Sequence, residues 1–329
     1  MFRFLKRPSV SPPVSPPEQL AQQPRLDAQA LLARIQWSSA KRLDGMLQGD
    51  YRTLFRGAGL MLADLREYGP QDDVRHIDWN VTARMQTPYV RELEEDRELA
   101  AWFLIDLSPS VEFGSSAISK RMVVAQLIAT LGYLLQRHGN RIGCIIDTGD
   151  PQKSLHILPT RSNRQHLLRI IDRVLNGPVA YQPGSTDLDR LLTSAQRLIS
   201  PRSSVFVISD FLAQPGWSRP LSMVAARHDV VAVRLIDPME QSLPDMGLMV
   251  VRDSETGEKL FIDTQDRGFR ERFSQAALTL EQTIRSDLSS AGVDCLEVRT
   301  DDQVEQALVS FIAMRKQAAW QLHRGRGHA

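Results

Sequence analysis

The 329-residue chain carries 40 Lys and Arg against 39 Asp and Glu, for a formal net charge of +1. That balance offers no basic field for nucleic acid, and no apolar run approaches the ~20 residues of a membrane span. The length is ample for one large domain with an appendage.

Residues 1–7 lack the long apolar segment of a secretory signal, and residues 8–17 are almost wholly Pro, Ser and Val. Such a tract cannot build a core, so residues 1–25 read as an extended, disordered leader. The next segment, 26–98, is densely charged around Arg66, Glu67, Tyr68, Asp72, Asp73, Arg75, Asp78, Trp79 and Arg84. Opposite charges so evenly interleaved favour a self-paired shell, in which Arg forks hold carboxylates, over a recognition surface. Trp79 reads as a packing anchor within it.

From residue 99 to 316 the pattern is alternating β and α. Residues 102–105 are too uniformly apolar for a half-exposed strand and suit one buried on both faces of a parallel sheet. A long apolar helix is expected over 119–137, closed by Gly139-Asn140, then strands over 141–147 and 156–159 and a helix over 165–175. Leu188, Leu191, Leu192, Ala195, Leu198 and Ile199 mark one face of the next helix. Strands follow at 205–210 and 230–236, and a hairpin insertion within about 245–263, from strands at 249–251 and 259–262. A helix over 267–290, a strand over 295–298 and a helix over 304–316 complete the domain, leaving 317–329 as a frayed tail. The fold class is therefore α/β, a doubly wound, mainly parallel sheet with an N-terminal appendage. Cys144 and Cys295, the only two cysteines, fall in strand-like apolar runs and read as reduced core thiols of a cytoplasmic protein.

Three strand or helix ends carry oxygen donors. Asp106, Ser108 and Ser110 follow the first buried strand as Asp-x-Ser-x-Ser, Thr186 precedes an amphipathic helix, and Asp210 ends a later strand. Hard oxygen ligands of this kind suit Mg²⁺ or Mn²⁺. Each also has a plainer reading: a Ser/Asp turn, a Thr186–Asp189 capping box, a strand-end turn. In their order along the chain, however, they resemble the metal-ion-dependent adhesion site of von Willebrand factor A domains. That resemblance implies a divalent ion held by Asp106, Ser108, Ser110, Thr186 and Asp210, with one coordination position open to an acidic group on a partner.

Upstream, Gly57-Ala-Gly59, Arg66-Glu-Tyr68, Asp72-Asp-Val-Arg-His-Ile-Asp-Trp79 and Ala83-Arg84 resemble the signature of the bacterial DUF58 family, with Gln71 where a glycine is usual. DUF58 proteins are associated as a family with MoxR-type AAA+ ATPases. The resemblance thus implies an adaptor or co-chaperone that recruits a client protein for such an ATPase. No phosphate-binding loop, nucleophile elbow or His-Glu-x-x-His occurs, and the seven histidines are scattered, so a non-enzymatic interaction module is expected. A metal-dependent hydrolase and a metal-free scaffold are the alternatives.

Overall fold

All seven residues of Ala100–Asp106 are buried, because the strand they form lies in the middle of a sheet covered on both sides. The computed structural model describes residues 26–42, 65–69, 72–74, 77, 79–91, 100–115, 118–150, 152–178, 187–252 and 259–326. Its elements in chain order are α1 (Ala28–Arg42), β1 (Leu65–Glu67), α2 (Trp79–Met85), β2 (Tyr89–Arg91), β3 (Ala100–Asp106), α3 (Lys120–Arg137), β4 (Arg141–Asp147), β5 (His156–Arg161), α4 (Arg164–Asn176), α5 (Leu188–Leu198), β6 (Ser204–Ser209), α6 (Ser218–Ala225), β7 (Asp229–Ile236), α7 (Pro238–Gln241), β8 (Leu248–Arg252), β9 (Lys259–Asp263), α8 (Arg267–Ser290), β10 (Asp294–Arg299) and α9 (Val304–Arg326).

Six strands form one sheet in the order β10-β7-β6-β3-β4-β5. Every neighbouring pair is parallel except β4 with the edge strand β5. Side chains alternate between the faces, as the period of two requires. Phe103 and Ile105 join the core formed with α1, α3, α4 and α9, whereas Trp102 and Leu104 join the one formed with α5, α6 and α8. The doubly wound, mainly parallel sheet expected from the sequence is thus present, and β8 pairs antiparallel with β9 as the expected hairpin.

The structure also departs from the sequence reading. Helix α1 lies in the segment assigned to the appendage, yet buries Ala28, Leu31, Leu32 and Ile35 in the same core as the sheet. The last helix does not stop at Lys316 but continues to Arg326, because Ala, Trp, Gln and Leu follow and no strong breaker intervenes. Leu198 is 43% exposed rather than on the buried face of α5.

The charged upstream segment is only partly described. Residue Arg66 pairs with Val90 in a β1–β2 ladder, and Ile77 bridges to Val90 as well. Asp72 turns inward and accepts a hydrogen bond from the Gly69 N–H at 2.8 Å, while Asp73 and Arg84 are exposed. Trp79 is 70% exposed, which corrects its reading as a packing anchor: it opens a seven-residue helix with its ring on the outer side. Arg75 and Asp78, like Thr186 and the leader 1–25, lie outside the described residues.

Candidate functional site

Strands β3 and β6 are parallel neighbours in register from Ala101↔Ser204 to Ile105↔Ile208, so both release their chains at the same sheet edge. In doubly wound sheets, loops leaving the carboxyl ends of strands are where ligands bind. Here that edge receives Asp106 from β3 and Ser209 and Asp210 from β6.

Asp106 is buried, and both of its oxygens accept hydrogen bonds. Oδ1 takes the Ser108 N–H at 2.9 Å and Oδ2 the Ser209 hydroxyl at 2.7 Å. Ser108 begins a 3₁₀ turn over Pro109–Glu112, but its hydroxyl makes no capping bond. Instead the Ser108 and Ser110 hydroxyl oxygens sit 3.0 Å apart, both on buried residues. Two further contacts fix this loop. The Leu107 N–H donates to the Asp147 carbonyl at 2.7 Å, and Gly149 (φ +74°) lies so close that a β-carbon there would meet Ser108 at 3.2 Å.

On the β6 side, Phe211 adopts a left-handed conformation (φ 59°) rare for a bulky residue. Its ring is buried 5.1 Å from Trp217, and its N–H donates to the Ser209 hydroxyl. The turn that results holds Asp210, whose Oδ1 accepts the Leu212 N–H at 3.0 Å.

The electrostatics of this edge are unusual. Burial, and next the charge of Asp210, push the Asp106 pKa up to about 6, against the stabilising bonds from Ser209 and Ser108. Lys120, at the start of α3, has no exposed surface; its ammonium donates to Asp210 Oδ2 at 3.0 Å and to Glu240 Oε1 at 2.5 Å. Burial works against that ammonium, yet the two carboxylates outweigh it and hold its pKa above the ordinary value. Glu240 is itself pushed up by burial, with Lys120 opposing.

Asp106, Ser108 and Ser110 are thus brought together and Asp210 faces Asp106 electrostatically. Asp187 caps α5 by accepting the Arg190 N–H, and Thr186 lies outside the described residues. The sequence reading missed Ser209, Lys120 and Glu240. It also missed Asp147 at the end of β4, which is paired with Arg190 of α5. A signal for Glu240 existed: Asp237-Pro-Met-Glu240 is a capping box, and both of its bonds form.

The donor set fits a hard divalent cation. Among the described residues no group of three or more His, Cys, Asp or Glu side chains is placed to hold a metal. An ion here would therefore use the serine hydroxyls beside Asp106, and its charge would relieve the Asp106–Asp210 repulsion.

The profile of the family described as "Protein of unknown function DUF58" matches residues 64–283. The chain belongs to the DUF58 family. The DUF58 chain is 34% identical over 295 residues to the uncharacterized protein Rv1480 of Mycobacterium tuberculosis, covering 90% of this chain and 92% of that one. Among solved structures it is similar to the conserved hypothetical protein BatB from Bacteroides thetaiotaomicron, at 16% identity and a TM-score of 0.43, over 67% of this chain and 99% of that one. It is also similar to the SpRpn10 VWA domain, at 11% identity and a TM-score of 0.36, over 64% and 94% of the two chains. No helix among the described residues is long and apolar enough to cross a membrane.

Proposed function

We propose that this DUF58 protein is a non-enzymatic protein-interaction module whose contact point is a divalent cation, Mg²⁺ or Mn²⁺, at Asp106, Ser108, Ser110, Thr186 and Asp210. The ion would offer one coordination position to an Asp or Glu side chain of a protein partner. The observation that carries this reading is the Ser108–Ser110 hydroxyl pair, 3.0 Å apart beside a buried Asp106 whose pKa is pushed up to about 6. Lys120 meets the charge of Asp210 but not that of Asp106, and a cation beside the serines would supply the rest. The family resemblance adds the partner: a MoxR-type AAA+ ATPase, for which this chain would act as adaptor or co-chaperone while a client protein docks at the ion.

The test is complex formation between the purified chain and a MoxR-type ATPase from the same cell, in Mg²⁺ and in EDTA. The complex should form only with the cation and should be lost in Asp106→Ala. Binding that persists in EDTA and in the variant would sink the reading.

One observation favours a second reading, a metal-free scaffold. Lys120 already gives Asp210 a cation, so the edge is partly neutralised from within. On that reading divalent ions change neither stability nor binding.

A further inference from the structure

We infer that Lys120, opposed by Glu240, sets the net charge of this site and thereby its preference for a divalent ion; the inference rests on the metal-site reading above. Lys120 is the first residue of α3, and Ser119 before it caps the helix by accepting the Met122 N–H. Its backbone closes the loop that starts at Asp106, donating to the Phe113 carbonyl at 3.2 Å. A lysine at such a position normally points its ammonium into water. Here the ammonium is wholly buried and spans two further elements, reaching Asp210 after β6 and Glu240 in α7.

Lys120 faces the carboxylates of Asp210 and Glu240, and Asp210 in turn faces Asp106, so three carboxylates share one ammonium and two negative charges remain uncompensated. A divalent ion neutralises that remainder; a monovalent ion falls short and a trivalent ion overshoots. Neighbouring charges do not alter the count. Arg234 lines the same small cavity as Asp210 and Glu240, but Glu281 meets its charge at 2.6 Å. Asp237 is held by bonds from Ser115, Met239 and Thr300, and its charge acts on Arg299. Asp147 is paired with Arg190.

Lys120 also decides how Asp210 acts. Both oxygens of Asp210 are engaged, one by the ammonium and one by the Leu212 N–H. Lys120 is thus the positioning residue that fixes the orientation of the Asp210 carboxylate.

The experiment titrates the full chain with Mn²⁺ by calorimetry and with Tb³⁺ by luminescence. It compares wild type, Lys120→Met, Lys120→Arg, Glu240→Gln and Asp106→Asn. Removing the ammonium should raise the preference for Tb³⁺ over Mn²⁺ by about tenfold or more, and Lys120→Arg should restore the wild-type ratio. Glu240→Gln should weaken Mn²⁺ by about tenfold, and this partly exposed position keeps the test readable if Lys120→Met does not fold. Unchanged affinities for both ions in Glu240→Gln, or an unchanged ratio in a folded Lys120→Met, would overturn the inference while leaving the metal site standing. Equal or absent binding in wild type and Asp106→Asn would overturn the site itself, and the inference with it.

Discussion

The Ser209 hydroxyl donates to Asp106 Oδ2 at 2.7 Å, so the two central strands are tied at their ends through the Asp106 carboxylate. The same hydroxyl accepts the Phe211 N–H at 2.9 Å. Ser209→Ala removes a bond to a charged group and leaves a buried N–H without a partner. Urea denaturation should show a loss of about 1–3 kcal/mol. A loss within experimental error would mean that the two strand ends are not coupled in this way.

The raised pKa of Asp106 predicts a pH dependence of the ion-free protein. The folded state holds this proton more tightly, with a pKa of about 6 against the ordinary 3.8. Its contribution is fully present below pH 3.8 and is lost as pH rises through 6. In EDTA the wild type should therefore lose roughly 2 kcal/mol between pH 4 and 7 relative to Asp106→Asn, which lacks the titrating group. Saturating Mg²⁺ should reverse the trend, because the ion needs the deprotonated carboxylate. A constant difference between the two proteins across this range would refute the electrostatic account of Asp106.

Gly149 combines a φ of +74° with a close approach to Ser108 and Pro109. Gly149→Ala places a methyl group against the loop that carries both serines and adds about 1–2 kcal/mol of backbone strain. It should lower both the melting temperature and the affinity for Mn²⁺. A variant that melts lower but binds Mn²⁺ as tightly as wild type would show that the serines need no support from this turn.

At the opposite edge of the sheet, Arg315 is buried, donating to Asp294 Oδ2 at 2.8 Å with Asp229 at 3.4 Å and the Phe311 ring beneath it. Arg315→Met should destabilise the protein by about 3 kcal/mol by removing the buried guanidinium from beside two carboxylates. Affinity for Mn²⁺ should not change, since the site lies at the other end of the strands. A large loss of affinity in protein that remains folded would show that the two edges are coupled.

Much of the fold was legible because its strands are buried on both faces. Runs such as Trp102-Phe-Leu-Ile105 and Val205-Phe-Val-Ile208 carry no polar residue to confuse the period. The oxygen donors at their ends were legible for the same reason, since a carboxylate after such a run stands out. What escaped the sequence depends on long-range pairing. Lys120 begins an apolar helix as a solvated lysine would, and only the arrival of Asp210 after β6 and Glu240 in α7, 90 and 120 residues away, makes it buried. Helix α1 carries Ala28, Leu31, Leu32 and Ile35 at i, i+3, i+4 and i+7, but nothing local says which core that face joins, and it became evident only against the sheet. Trp79 was misjudged because a large aromatic ring is usually worth burying, whereas here it stands at the outer start of a short helix.

The central claim is tested most directly by thermal melts of the wild type and Asp106→Ala in EDTA, Mg²⁺ and Mn²⁺. An ion at ~100 times its dissociation constant adds about 2.7 kcal/mol, which for a domain of this size is a rise of roughly 5–10 °C. The account predicts that rise in the wild type and none in the variant. No rise in the wild type, or an equal rise in both, would contradict it.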